Sequence, residues 1–533
     1  MANVEWKDVQ GLVRSGFPHL PHAAYILWHF SHDCGPQAKE WLSDLANRLV
    51  RVEHDSPEAD AGDGEPHQLL RPRSIAALKQ LIAKTRLRGR DAKAIQIGAV
   101  NLALTVSGLK ALGVAETGLS DFSFEFREGM APKPAAASTA PRRSSLLGDI
   151  GPDSPENWDW GGWKDSAPID GVMLLYATDE AALQRLIAHE SGAMAAAATP
   201  IKALHGQLYD DRKEHFGFTD GISQPAIEGT PLAERMGRKQ ARISVVKPGE
   251  FVLGYPNERG AKVSYPMPPA RGRRNSEAAR APARDIMRNG TYLVFRQLEQ
   301  HVDVFDKFIS ETAKLLSGTL DPDSEENVVS EESVAARLVG RFRNGVPLVP
   351  PLADSRSAET DTRNDFLYYR EDRFGLACPI GAHIRRANPR NALGPAPETA
   401  LRLSKMHRII RRGRIYGQRQ TADAERQAQS GDPRGLHFIC LNADIAGQFE
   451  MVQHTWLNGA HFNGLDHETD PMSHYRVGNG VMTFQHRPTN LRISVPKLVT
   501  VRGGAYFFLP GIKALCALAR SEGAPPPVEA ISR

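Results

Sequence analysis

Cysteine is scarce in this chain: four in 533 residues, Cys34, Cys378, Cys440 and Cys516, far apart and without a C-x-x-C pair. That spacing excludes a zinc ribbon and supplies no disulfide framework. Long apolar runs are also missing, the longest being broken by glycine, proline or charge, so no membrane partner is expected. The opening Met-Ala-Asn-Val-Glu-Trp-Lys-Asp has neither the basic-then-apolar pattern of a secretory leader nor twin arginines, and a cytoplasmic location is the expectation. Surplus charge is absent too. Sixty-six Lys and Arg against 62 Asp and Glu leave +4, too little to argue for nucleic acid.

What is present is an ordinary globular composition, 41% hydrophobic and 24% charged, in a chain long enough for two domains. Periodicity places strands at His22 to Phe30, Val100 to Val106 and Gly171 to Ala177. Helices follow at Lys39 to Val50, at Ser107 to Leu112 and from Asp179 onward. The second half repeats the rhythm with strands at Thr291 to Leu298, Gly435 to Asn442 and Ala505 to Leu509. Its helices carry Val302, Phe305, Ile309 and Leu316, then Ile445, Phe449, Val452 and Trp456, on one face each, and a last helix runs from Gly511 to Ala519. Acidic stretches at Glu53 to Pro66 and Asp321 to Glu332 read as loops, and Lys133 to Ser145 as a surface excursion. The stretches Leu102 to Gly113 and Tyr506 to Cys516 share a strand, a turn and a Lys-Ala-Leu helix. The pattern predicts an α+β chain of two similar halves, each an antiparallel sheet with helices packed on it, with boundaries at 1–245 and 246–533.

Three stretches can carry chemistry. In Cys378-Pro-Ile-Gly-Ala-His383-Ile-Arg385-Arg386-Ala-Asn388-Pro-Arg390, one histidine has compact neighbours and is followed by guanidiniums. That set suits an iron porphyrin, with an imidazole for the metal and cations for the propionates, although a single His beside arginines is also the pattern of a phosphate-facing site. Gly217-Phe-Thr-Asp220-Gly221 brackets a carboxylate with glycines, which suits a loop folded tightly against a flat ligand and equally a plain turn. The run Arg402 to Arg419 is basic but interleaved with Ile409, Ile410, Ile415 and Tyr416, so one arginine can be drawn inside toward an anion. A solvated face or a nucleic-acid patch is the competing reading of that run.

Together these motifs, with Gly435-Leu-His-Phe-Ile-Cys-Leu-Asn, Gln448-Phe-Glu-Met-Val-Gln and Thr500-Val-Arg-Gly-Gly-Ala-Tyr-Phe-Phe-Leu-Pro, resemble the longer-chain branch of the dye-decolorizing peroxidase family. The resemblance implies two ferredoxin-like halves and one haem b per chain, bound mainly by the C-terminal half, with His383 as the iron ligand. It also implies Asp220 as distal carboxylate, Arg411 as distal guanidinium, Arg408, Arg412 and Arg414 being rivals, and Gly221 beside them. Arg385 is the candidate propionate partner, and Leu436 and Phe438 the distal wall; His437 and Met451 are read as structural. The acidic partner of His383 is Glu450 or Asp470.

The implied activity is reduction of hydrogen peroxide through a ferryl intermediate, with oxidation of organic reductants such as dyes and phenols, in a possible homodimer. A haem carrier or sensor with little turnover is the alternative, which would not need the complete Asp220 and Arg411 pair. Tyr416 is the candidate for carrying electrons to the surface, with Trp456 behind it.

Overall fold

A computed structural model describes residues 4–31, 35–49, 98–134, 142–165, 167–261, 286–320, 329–349, 363–419, 433–473, 478–486 and 488–520. The first half runs β1 (His22–Phe30), α1 (Gly35–Arg48), β2 (Gly98–Leu104), α2 (Val106–Ala111), β3 (Gly171–Ala177), α3 (Glu180–Met194) and β4 (Ala198–Gln207). The second runs β5 (Thr291–Gln300), α4 (Val302–Leu320), α5 (His383–Ala387), β6 (Ile410–Arg411), β7 (Arg414–Tyr416) and β8 (Gly435–Asn442). Two π-helical turns (Ala446–Glu450 and Val452–Leu457), β9 (Val499–Leu509) and α6 (Ile512–Arg520) complete it.

Strand order is β2-β3-β1-β4 in the first half and β7-β8-β5-β9 in the second, all antiparallel. Both orders place the first and third strands side by side at the centre, which is the ferredoxin-like βαββαβ arrangement. The halves join through single pairings, Gln207 with Ile415 and Phe508 with Leu104, so the fourth strand of each half meets the second strand of the other. The result is a ring of strands closed through those two single pairings, with β6 lying against β8.

Period-two alternation divides the side chains of the ring. Tyr25, Leu27, Leu174, Phe295 and Ile439 fill its interior. Ile26, Trp28, Met173, Val294 and Cys440 face outward into a second core shared with Trp41, Leu42 and Leu45 of α1. Trp28 meets Trp41 edge-on at 5.5 Å. Full burial of each large apolar side chain is worth about 1.5–3 kcal/mol, so a one-residue slip of any strand would forfeit many of them at once.

β1, β3 and β8 fall where the periodicity predicts. β4 is the strand that the pattern hides: Pro200 lacks an N–H and sits where the register against β1 shifts, beside Leu27 and Trp28. β9 begins well before Ala505, its alternation broken by a register shift between Val501 and Gly503. Asp179 caps α3, accepting from the Ala182 N–H at 2.8 Å. The stripe Ile445, Phe449, Val452 and Trp456 is buried as expected, but on a π-helical backbone: the Glu450 N–H reaches the Ile445 carbonyl and the Asn458 N–H the Gln453 carbonyl, each at 2.9 Å.

Lys133 to Ser145 is not wholly a surface excursion, because Arg142–Leu147 is helical and buries Arg143 against Glu128 and Glu450; residues 135–141 lie outside the described residues. The expected loop Glu53 to Pro66 also lies outside them, as does 321–328 of the second acidic stretch, whose end opens a helix capped by Ser330. Among the described residues no helix is long and apolar enough to cross a membrane.

Candidate active site

On the outer face of the second-half strands lies a cavity of about 360 Å³. Its sheet wall is set by cross-strand register: Phe438 of β8 pairs with Arg296 of β5, and Leu436 with Leu298. Facing that wall are α5, with His383 and Ile384, and the π-helical turns, with Phe449 and Val452. The extra residue per turn of a π-helix suits a site where side chains must be re-aimed.

His383 is the first residue of α5. Its Nδ1 lies 2.9 Å from Asp470 Oδ2, and Asp470 is fully buried. The other oxygen of Asp470 accepts from the N–H groups of Met472 and Ser473 at 3.0 and 2.9 Å and from the Ser473 hydroxyl at 3.1 Å. Burial pushes the Asp470 carboxyl up, but His383, Arg386 and these donors outweigh it, so it stays below the usual carboxylate range. An ionised Asp470 only accepts, so Nδ1 carries the hydrogen and Nε2 is the ring nitrogen left for a ligand. The choice between Asp470 and Glu450 is thereby decided: Glu450 is taken by Arg143 and, at 2.8 Å, by the Tyr506 hydroxyl.

Asp220 and Arg411 lie 191 positions apart, yet Arg411 Nη1 donates to Asp220 Oδ1 at 2.6 Å. Gln224 fixes Arg411 further, accepting from its N–H at 3.1 Å and donating to its carbonyl at 3.2 Å. The Gly221 N–H donates to Asp220 Oδ1 at 2.6 Å from a residue at φ +87°, a conformation that favours glycine. Burial raises the Asp220 carboxyl, but Arg411 and the Gly221 N–H more than cancel it, and the net shift is downward. The charges of both residues also act on His383.

Of the rival arginines, Arg412 turns to the carbonyls of Leu12 and Val13, and Arg414 to that of Phe17. Arg408 lines the cavity but does not pair with Asp220.

Two expectations need correction. Arg385 does not line the cavity: it is fully buried behind α5, donating to Asp372 Oδ2 at 3.1 Å and to the Cys378 carbonyl at 2.8 Å. Its cation is already neutralised, so it has none to offer an anionic ligand. Tyr416 does not reach the surface either, because β7 turns it into the ring interior, where it stacks on His437 at 4.6 Å and is 8% exposed. Trp456 is likewise buried, edge-on to His407 at 5.2 Å.

The cationic part of the cavity comes from other arginines. Arg341, Arg390 and Arg408 all line it, each at most 6% exposed. Arg341 and Arg390 donate to carbonyls and to Asn364, and Arg408 makes one long bond to the Ser223 carbonyl at 3.4 Å. Among the described residues none of the three has a carboxylate within ion-pair distance. Burial and then the neighbouring guanidiniums depress Arg341 to about 10 and Arg408 to about 9. Gathered buried cations of this kind suit an anionic ligand. Arg390 stands within the His383 motif and Arg408 in the basic run, but no sequence signal marks Arg341.

No protein-family model matches the chain. A dye-decolorizing peroxidase of Mycena epipterygia is 30% identical over 461 residues, covering 79% of this chain and 76% of that protein. A multifunctional dye peroxidase of an Amycolatopsis species is 29% identical over 460 residues, 82% and 86% of the two chains. Among solved structures, a fungal DyP-type peroxidase from Auricularia auricula-judae superposes with TM-score 0.69 at 23% identity, over 97% of this chain and 100% of that one. A DyP-type peroxidase from Anabaena superposes with TM-score 0.69 at 20% identity, over 96% and 94%. These structural likenesses carry the fold; the sequence identity to the Mycena enzyme over most of both chains carries the family. The chain belongs to the dye-decolorizing peroxidase family and is an enzyme of that class.

Proposed function

We propose that the cavity holds one haem b per chain, with His383 Nε2 as the iron ligand, and that the enzyme reduces hydrogen peroxide at the expense of dyes and phenols. The carrying observation is the meeting of Asp220 and Arg411 on the same cavity as an imidazole whose Nδ1 is tied to Asp470. Three further features fit the cofactor: the apolar walls from Leu436, Phe438, Phe449 and Val452, the cations Arg341, Arg390 and Arg408 for propionates, and the orientation of His383.

Bound there, haem supplies a redox-active iron at which the peroxide O–O bond is cleaved. Asp220, ionised because Arg411 and the Gly221 N–H favour its charged form, would accept a proton from one peroxide oxygen and return it to the other, which then departs as water. Arg411, held by Asp220 and Gln224, is poised to stabilise the negative charge that develops on the departing oxygen. Leu436 and Phe438 keep that space apolar, which strengthens both interactions. A carrier or sensor has no use for this pair.

Asp220→Ala and Arg411→Leu are expected to retain haem absorbance while slowing the reaction with peroxide by about 10²–10⁴-fold for the carboxylate and about 10²–10³-fold for the guanidinium. Stopped-flow absorbance is the measurement; wild-type rates in both variants would remove these roles.

A further inference from the structure

A buried carboxylate beneath the Asp220 loop has no place in the proton transfer just described. Glu214 lines the cavity at 9% exposure. Its Oε1 accepts from the Phe218 N–H at 2.8 Å, and its Oε2 from the Phe216 N–H at 3.0 Å and from Gln300 Nε2 at 2.5 Å. The backbone closes the same hairpin, Glu214 N–H to the Phe218 carbonyl and Gly217 N–H to the Glu214 carbonyl, both at 2.9 Å. Gly217 permits the turn at φ +91°. Asp220 is the second residue beyond Phe218.

We propose that Glu214 is a positioning residue for Asp220: it clamps the carboxylate-bearing loop of the first half onto β5 of the second through Gln300. Both Glu214 oxygens are occupied by donors, so it does not compete with Asp220 for the peroxide proton. Other contacts hold the outer side of the loop. Arg343 Nε donates to the Phe216 carbonyl at 2.9 Å, and the Arg343 carbonyl accepts from the Thr219 N–H at 3.0 Å. Among the described residues Glu214 is the side-chain acceptor for the two amides at the turn, and Gln300 joins it to the sheet wall that carries Leu298 and Arg296, while His215 beside it meets the Tyr416 carbonyl of β7 at 2.8 Å. Burial raises the Glu214 carboxyl, and Gln300 with the two backbone N–H groups draws it back toward the charged form, in which such bonds are roughly twice as strong as neutral ones. Glu214→Gln keeps the volume but sets an NH₂ where one backbone N–H needs an acceptor, so the loop loses its fixed seat.

The inference rests on the peroxidase reading for its kinetic arm and on amide exchange for a second arm independent of it. In Glu214→Gln, the Phe216 and Phe218 amides should exchange faster, and the bimolecular rate with peroxide should fall about ten-fold or more, since misplacement near 1 Å can cost that much. Haem absorbance and reduction by a phenol at saturating peroxide should stay as in wild type. Gln300→Leu should move both readings the same way by less, and it stands in if the first variant does not fold. Asp179→Ala, which removes a distant helix cap, controls for lost stability and should leave both readings unchanged. A peroxide rate within about twofold of wild type, unchanged exchange at both amides, or equal slowing in the control would each overturn the clamp. If wild-type protein itself shows no absorbance change with peroxide, the peroxidase reading fails; exchange then decides alone, faster upholding the clamp and unchanged overturning it.

Discussion

Arg385 and Arg408 are buried to nearly the same degree, yet they do opposite things. Arg385, fully buried, lies over the Tyr368 ring at 4.5 Å and donates to Asp372 Oδ2, to the Asp372, Arg373 and Cys378 carbonyls, and to nothing in the cavity. Arg408, 6% exposed, makes one bond of 3.4 Å, has Arg390 and Arg411 as charged neighbours, and lines the cavity. Burial alone therefore does not mark a functional arginine. The sign of its partners does: a cation answered by a carboxylate is part of the scaffold, and one answered only by other cations is waiting for an anion.

The largest expected effect breaks the scaffold side of that contrast. Arg385→Met leaves Asp372 buried without its cation and should cost about 3–5 kcal/mol of unfolding free energy, read by chemical denaturation of the haem-free protein. A loss below about 1 kcal/mol would place Arg385 among the dispensable surface-type pairs. Arg408→Met should do the reverse. Removing a cation that others repel leaves haem-free stability unchanged or higher, while affinity for haem falls roughly 10–100-fold, the worth of one charged hydrogen bond of about 1.5–3 kcal/mol. Titration of haem-free protein with haemin measures it. Equal destabilisation by the two variants, with affinity intact in both, would erase the distinction.

The sequence makes one side of this contrast far easier to see than the other. Strands such as Gly171–Ala177 and Gly435–Asn442 are legible because period-two burial is a local property, and the repeated βαββαβ order follows from it. His383 and Asp220 are legible through short motifs whose side chains stay close to their own backbone, and Arg411 through the family resemblance of its run rather than through any local pattern. The arginines proposed for the propionates are not, because a guanidinium reaches far from its Cα and its role depends on what the other end meets. Arg385 sits two residues after His383 and yet its side chain turns to Asp372, away from the cavity. β4 and the π-helical turns escaped for another reason: in each the backbone departs from the period that the pattern assumes, at Pro200 in one and by i→i+5 bonding in the other.

A smaller effect tests the cavity pair through pH. As the proposed proton acceptor Asp220 works only when ionised, so the proposed peroxide step is present above its pKa and lost as pH falls through it. Burial pushes that pKa up, and Arg411 with the Gly221 N–H brings it below the ordinary 3.8, so the loss belongs to strongly acid solution. The stability contributed by the charged form has the same sign, present above the unfolded value and lost as pH falls through the folded one. In Arg411→Leu the cation is gone and burial prevails. The acid limb of the residual peroxide rate should then move to higher pH. A limb that stays in place would mean that Arg411 does not set the charge of Asp220.

The smallest effect concerns Tyr416, which the structure moves from the functional side to the scaffold. Its ring lies inside the strand barrel against His437, itself edge-on to Tyr25 at 5.5 Å and to Phe295 at 5.7 Å, and burial raises the phenol above its usual pKa. A ring so enclosed offers no face to a bulky dye. Tyr416→Phe keeps the stacked shape, so stability should change by no more than about 1 kcal/mol, and dye and small-phenol turnover should both stay within about twofold of wild type. Dye turnover lost while phenol turnover survives would return Tyr416 to the functional side, because only an electron path from the cavity through the barrel separates those two reductants.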